Sequence, residues 1–242
     1  MKTRLIVFDI DGTLTRHVSS WQFIHERLGL WENEAVEYQN KFLAGEISYK
    51  KFCRLDAAHW KGIPEKRMTE IFKKVPYARN AQKALALLKK EGFSLAGLST
   101  GVQFMVNRAK DELELDFALG NRLRTRNGLL TGGVKIKIPH LGKDRALRSI
   151  ACRFGTEPSL VISVGDSEGD LPMMRISGFS IAFNPRTEAV CRAADYCCRS
   201  DDFMEVCDRI LENSPSLASR TQYWDGPASD IKSDRYEQNR IP

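Results

Sequence analysis

The 242-residue chain is predicted to be an α/β protein, a doubly wound, mostly parallel sheet with an inserted helical cap and a β-hairpin. Three observations predict it. The uninterrupted apolar run Leu5–Phe8 and the mainly apolar runs Leu95–Leu98 and Leu160–Val164 read as strands buried on both faces, which is the pattern of parallel sheets. Each run leads directly into residues with chemistry: Asp9-Ile10-Asp11-Gly12-Thr13-Leu14-Thr15, Ser99-Thr100-Gly101, and Gly165-Asp166-Ser167-Glu168-Gly169-Asp170. Sheets of this kind hold ligands at the carboxyl ends of their strands. Between the first and second runs the strand pattern disappears and helical spacing replaces it.

Taken in order, the first strand ends on Asp9, and Gly12 lets the backbone turn sharply after Asp11. Residues 16–75 then carry four helical apolar sets: Trp21, Ile24, Leu28; Ala35, Tyr38, Phe42; Phe52, Leu55, His59; and Met68, Ile71, Phe72. The aromatic cluster Trp21, Phe23 and His25, with Trp31 and Trp60, is either the core of this bundle or the lining of a pocket, and the helical spacing favours the core. Ser19-Ser20 either caps the first of these helices or faces the strand ends. A core helix over Ala81–Leu88 feeds the second strand. Arg126-Asn127-Gly128-Leu129 is a hairpin-turn signal between Leu123 and Val134. Gly142-Lys143-Asp144 opens a helix carrying Ala146, Leu147, Ile150, Ala151 and Phe154. A lysine at a helix start opposes the macrodipole and points to an anionic partner. Two more strands, over Phe179–Phe183 and Ala194–Cys197, precede a closing helix over Phe203–Leu211. The Ser-, Pro- and Asp-rich stretch after Asn213 reads as a disordered tail. The expected division is a core of residues 1–15 and 76–212, a cap of 16–75, and a tail of 213–242.

Composition narrows the class. With 42% hydrophobic residues the chain can bury one substantial core and a satellite. No apolar stretch reaches the length of a membrane span or a signal peptide, so a cytoplasmic protein without membrane partners is expected. The six cysteines have no Cys-x-x-Cys pair, which reads as reduced and mostly buried thiols. His17, His25, His59 and His140 show no metal-ligand spacing. The net charge of +6 arises from scattered basic residues without interleaved aromatics, so no nucleic-acid partner is expected. The sequence leaves the oligomeric state open.

Three strand ends thus offer an acid pair, a hydroxyl with flexible backbone, and a second acid pair. If strand geometry persists, Asp9 and Asp11 lean the same way, and apposed carboxylates call for a shared proton or a metal ion. Each member has an ordinary alternative: Ser99 as a helix cap, Lys143 as a solvated surface lysine, Asp166 and Asp170 as the flanks of a turn. Their joint occurrence in this order resembles the haloacid dehalogenase superfamily of phosphatases, over roughly residues 1–211. Within it the Ser99 motif, Asn121-Arg122-Leu123 and the spacing to Lys143 look most like the phosphoserine phosphatase-like subfamily.

The resemblance implies a Rossmann-like core and a magnesium-dependent (Mg2+) phosphomonoesterase acting on a small phosphorylated metabolite. Asp9 would be the nucleophile, forming an aspartyl-phosphate. Asp11 would protonate the leaving group and then activate water. Asp9, Asp166, Asp170 and the backbone carbonyl of Asp11 would hold the metal. Ser99, the Thr100 and Gly101 N–H groups, and Lys143 would bind the phosphoryl oxygens. Two other outcomes stay open, phosphoryl transfer to an alcohol acceptor and an idle phosphate-binding protein. The chain departs from the subfamily at substrate-reading positions. Where the resembled phosphatases place a glutamate and an arginine for the amino-acid part of phosphoserine, this chain has Val18 and Asp56. Arg54 is close enough for a shifted helix to supply a cation, and Gly169 stands where asparagine is common. With Ser20 and Trp21, these are the candidate specificity residues. Retained chemistry with a substrate other than phosphoserine is expected.

Overall fold

The structure, a computed structural model, describes residues 4–17 and 19–220. Seven strands form one sheet in the order β4-β3-β2-β1-β5-β6-β7. They are β1 (Arg4–Phe8), β2 (Phe93–Val102), β3 (Phe117–Arg126), β4 (Leu129–Lys135), β5 (Ile162–Gly165), β6 (Phe179–Phe183) and β7 (Tyr196–Cys198). All neighbours run parallel except β3 and β4, which form an antiparallel hairpin at one edge. Asn127 and Gly128 both adopt positive φ, 51° and 75°, as the two-residue turn requires.

β1 is central and buried on both sides. Ile6 and Phe8 pack into the cluster containing Leu85 of α5 (Ala81–Lys90) and Val206 of α10 (Met204–Arg220). Leu5 and Val7 pack on the opposite face with Leu147 and Ile150 of α7 (Lys143–Arg153). The alternation along one strand therefore serves two helical layers, which is why its sequence is continuously apolar. From β1 the chain crosses to β2 on one side and later returns to β5 on the other. That reversal opens a crevice at the carboxyl end of β1.

Between β1 and α5 the chain inserts α1 (Ser20–Arg27), α2 (Val36–Leu43), α3 (Tyr49–His59) and α4 (Glu65–Phe72). Ser19 and Ser48 cap α1 and α3 by accepting the N–H groups of Gln22 and Lys51 at 3.3 and 3.2 Å. The interior is aromatic, with Trp21 stacked on Trp60 at 5.6 Å and Phe23 on Phe72 at 6.2 Å. The expected inward set Phe52, Leu55, His59 is corrected. The buried face of α3 is Phe52, Cys53, Asp56 and Ala57, and Leu55 is only half-buried. A charged residue turns inward because His25 Nε2 lies 3.3 Å from Asp56 Oδ1, with both side chains buried. The insert is tied to the hairpin by backbone bonds, Gly62 N–H to Leu130 O and Leu130 N–H to Ile63 O, both 2.8 Å.

Two further expectations are corrected. The closing helix does not stop near Leu211; α10 runs to Arg220, through Pro215, and residues 221–242 lie outside the described residues. Nor are all six cysteines reduced. α9 (Glu188–Ala193) turns tightly into β7, bringing the Cα atoms of Cys191 and Cys197 to 5.1 Å, and the two form a disulfide. Cys53, Cys152, Cys198 and Cys207 are free.

Candidate active site

Asp9 is the first residue beyond β1, and its N–H donates to Val164 O of β5 at 2.8 Å. The chain then leaves strand geometry. Thr15 N–H reaches back to Ile10 O at 3.0 Å, closing a wide turn in which Gly12 has φ +93°. Gly12 is required twice, because a Cβ there would also meet Asp166 Oδ2 at 2.6 Å. The same turn separates the two aspartates, so Asp9 and Asp11 meet different neighbours.

Asp9 meets Asp166 and Asp170, and the three buried side chains each offer a carboxylate oxygen within 4.8 Å of the others. Lys143, the first residue of α7, lies buried between them, its Nζ donating to Asp9 Oδ1 and to Asp170 Oδ1, each at 2.5 Å. The anionic partner expected for a lysine at a helix start is thus a pair of acids. Asp170 Oδ2 also accepts the N–H groups of Asp166 and Ser167 at 3.1 and 2.9 Å. Thr13 Oγ1 donates to Asp166 Oδ1 at 3.1 Å, and Arg186 Nε to Asp166 Oδ2 at 2.6 Å. Burial first, and then the nearby Asp170, push the carboxyl of Asp9 well above its ordinary range, and those of Asp166 upward for the same reasons. Burial opposes charge on Lys143, but Asp170 and Asp9 outweigh it and hold the ammonium above its usual range.

Asp11 faces hydroxyls instead. Its Oδ2 accepts from Ser99 Oγ at 2.8 Å and from Ser20 Oγ at 3.1 Å. Burial raises its carboxyl above the usual value while these two hydrogen bonds pull the other way. Ser99 does not cap a helix: α6 (Gln103–Glu112) begins after Val102, and Ser99 Oγ accepts the N–H of Gly101 at 2.7 Å. That N–H is therefore satisfied within the chain. The Thr100 carbonyl is a hub, taking Asn121 Nδ2 at 2.8 Å, Trp21 Nε1 at 3.3 Å and the Tyr49 hydroxyl. A Cβ on Gly101 would fall 2.0 Å from Asp11 Oδ2, so the end of β2 admits only glycine beside that carboxylate.

A cavity of about 190 Å³ opens onto this cluster. The core lines it with Asp9, Asp11, Lys143, Gly169, His140 and Arg186, among others, and the insert with Ser20, Trp21, Gln39, Phe42, Tyr49 and Phe52. Ser20, Trp21 and Gly169 therefore line this cavity. Arg54 and Asp56 do not. Arg54 lines a separate groove with Lys50 and Arg124, and Asp56 is buried against His25 inside the insert. Val18 lies outside the described residues.

A family model described as haloacid dehalogenase-like hydrolase matches residues 6–175. The chain belongs to that family. Among relatives, it is 33% identical over 184 residues to a phosphoserine phosphatase of Archaeoglobus fulgidus, a match covering 76% of this chain and 53% of that one. It is 28% identical over 206 residues to a phosphoserine phosphatase of Methanocaldococcus jannaschii, covering 85% of this chain and 96% of that one. The chain thus spans about half the length of the first relative and nearly all of the second. A solved phospho-aspartyl intermediate analogue of phosphoserine phosphatase superposes with a TM-score of 0.74 at 28% identity, over 88% of this chain and 99% of that chain.

In a haloacid dehalogenase-like hydrolase of this build, the donor set fits a hard divalent cation. The three clustered acids Asp9, Asp166 and Asp170 outnumber the two basic side chains paired with them, Lys143 and Arg186, which leaves negative charge for a dication to balance. The ligands are all oxygens. Sequence reasoning missed Arg186, Thr13 and the Tyr49–Asn121 support of Thr100. Arg186 follows β6, a neighbour of β5, so its loop emerges at the same end of the sheet as Asp166.

Proposed function

We propose that this hydrolase cleaves the phosphomonoester of a small metabolite through an aspartyl-phosphate on Asp9, with magnesium as its cofactor. The observation that carries the reading is the division of labour between two aspartates of one turn: Asp9 sits among cations and acids, Asp11 among hydroxyls. Paired carboxyl groups in contrasting environments are how one site supplies both a nucleophile and an acid.

In the first step an Asp9 oxygen attacks phosphorus and the ester P–O bond breaks. Asp11, whose raised carboxyl favours the protonated form, gives its proton to the departing alkoxide. In the second, Asp11 takes a proton from water, the water oxygen attacks phosphorus, and the bond to Asp9 breaks, restoring both acids and releasing phosphate. Lys143 keeps its proton throughout and sets positive charge beside the incoming phosphoryl oxygens, an effect strengthened by burial. Ser99 orients Asp11 by donating to its Oδ2. Asp9, Asp166 and Asp170 would hold a magnesium ion, which would supply positive charge to offset that of the nucleophile and the phosphate.

Residues 16–75 act in this reading as a cap that shields the reaction from bulk water. Among the described residues no helix is long and apolar enough to cross a membrane, and we place the enzyme in the cytoplasm with its phosphorylated metabolites. The test is a hydrolysis screen over amino-acid, sugar, nucleotide and aryl phosphates, with and without magnesium. Magnesium-dependent phosphate release that disappears in Asp9→Asn is expected. Full activity in Asp9→Asn, or undiminished turnover in excess chelator after dialysis, would refute the mechanism.

A further inference from the structure

The half of the cavity nearest the insert would receive the organic group of the ester, and it carries no charge. Its surface is made by the rings of Trp21, Phe42, Tyr49 and Phe52, with Leu43 at the rim. Phe42 stacks on Phe52 at 5.2 Å, Trp21 meets Phe52 edge-on at 6.1 Å, and Phe42 meets the His140 ring edge-on at 5.0 Å. The polar atoms of these rings are turned to other work, since Trp21 Nε1 and the Tyr49 hydroxyl both donate to the Thr100 carbonyl. Ser20 Oγ is held between Asp11 and the Val102 N–H, and Ser19 Oγ accepts from Gln22. Gln39 adds one uncharged amide. His140 is pushed toward its neutral form, by burial and then by Lys143.

The charged side chains that might read an amino-acid phosphate are elsewhere or engaged. Arg54 lines another groove, and Asp56 is sealed against His25. Arg186 is bound to Asp166, and the rim residue Glu168 accepts the Thr187 hydroxyl at 3.2 Å.

We propose that the insert face of the cavity is an aromatic subsite selecting phosphomonoesters of uncharged, apolar alcohols, above all arylalkyl alcohols, over zwitterionic amino-acid phosphates. The proposal rests on the phosphomonoesterase reading above. Its physical basis is asymmetric. An aromatic group gains contact area and edge-to-face or stacked packing against Phe42, Tyr49 and Trp21. An ammonium or carboxylate brought to the same face would lose its hydration without gaining a partner. Such a loss separates substrates more sharply than a missing apolar contact does.

The test compares kcat/KM for 2-phenylethyl phosphate, n-propyl phosphate, O-phosphoethanolamine and L-phosphoserine, with magnesium and the full chain. All four release a primary alkoxide. The ammonium makes the alkoxides of phosphoserine and phosphoethanolamine the better leaving groups, so a preference for phenylethyl cannot come from the chemical step. The expected result is phenylethyl ahead of phosphoserine by about tenfold or more, chiefly through KM. Phe42→Ala should bring phenylethyl down toward n-propyl phosphate, with Phe42→Tyr retaining the difference. Phosphoserine or phosphoethanolamine matching or exceeding phenylethyl would overturn the subsite, the latter by making Glu168 an ammonium partner. An unchanged phenylethyl to propyl ratio in Phe42→Ala would also overturn it. No magnesium-dependent hydrolysis of any ester would instead defeat the phosphomonoesterase reading itself.

Discussion

At the scale of single residues, the site is a charge balance that one substitution can tip either way. Asp9 is buried beside two other acids, so its ionised form is a burden on the fold. Asp9→Asn should therefore keep or raise the metal-free melting temperature while lowering kcat by at least about a thousandfold, read by calorimetry and phosphate release. Removing a cation should do the reverse. Lys143→Ala leaves Asp9 and Asp170 without their shared partner, and a loss of about 3–5 kcal/mol is expected, measured by denaturant unfolding without metal. Added magnesium should return part of it. Asp11→Asn should slow alkyl phosphates by about 10²–10⁴-fold and aryl phosphates much less, because their leaving groups need little protonation. Most of these residues were legible in the sequence because they sit where apolar runs end. Arg186 was not, because its role depends on β6 lying beside β5, a pairing that no local pattern encodes.

At the scale of elements, the ends of β1 and β2 are fixed by glycines whose missing side chains make room for carboxylates. A Cβ at Gly101 would overlap Asp11 Oδ2 at 2.0 Å and Ser20 Oγ at 2.2 Å. Gly101→Ala should thus displace Asp11 and cost about a hundredfold or more in kcat with little change in magnesium affinity, which titration calorimetry would show. Asn121 fastens the same strand end from the other side. It is fully buried, donates to Thr100 O and Ile138 O, and accepts from the N–H groups of Lys137 and Ile138. The hairpin was readable from Asn127-Gly128 because positive φ at both positions restricts the residue choice. The inward face of α3 was misread for the opposite reason. Apolar periodicity favours Leu55 over Asp56, whereas the helix buries Asp56 because His25 awaits it. The Cys191–Cys197 bridge was hidden likewise, since it depends on a turn between α9 and β7 rather than on spacing.

At the scale of the whole molecule, a sheet that reverses direction at β1 gathers acids from two strands and hydroxyls from a third, and the insert closes over them. The doubly wound core was legible because continuous apolar strands imply helices on both faces. How the insert sits was not, because its contacts with the hairpin are backbone bonds such as Gly62 to Leu130. Since the proposed divalent site draws on Asp9 after β1 and on Asp166 and Asp170 after β5, metal binding should stabilise the entire fold. Magnesium at a hundred times its dissociation constant should add about 2.7 kcal/mol, or roughly 5–10 °C in melting temperature for a chain of this size. Asp166→Asn should abolish most of that shift. The central claim is that phosphoryl transfer passes through Asp9 in two successive displacements. Its most direct test is hydrolysis of a phosphorothioate monoester made chiral at phosphorus by sulfur and two oxygen isotopes, carried out in water of the third isotope. Net retention of configuration is the expected result, since two in-line displacements each invert. Net inversion would mean that water attacks the ester directly, and would contradict the account.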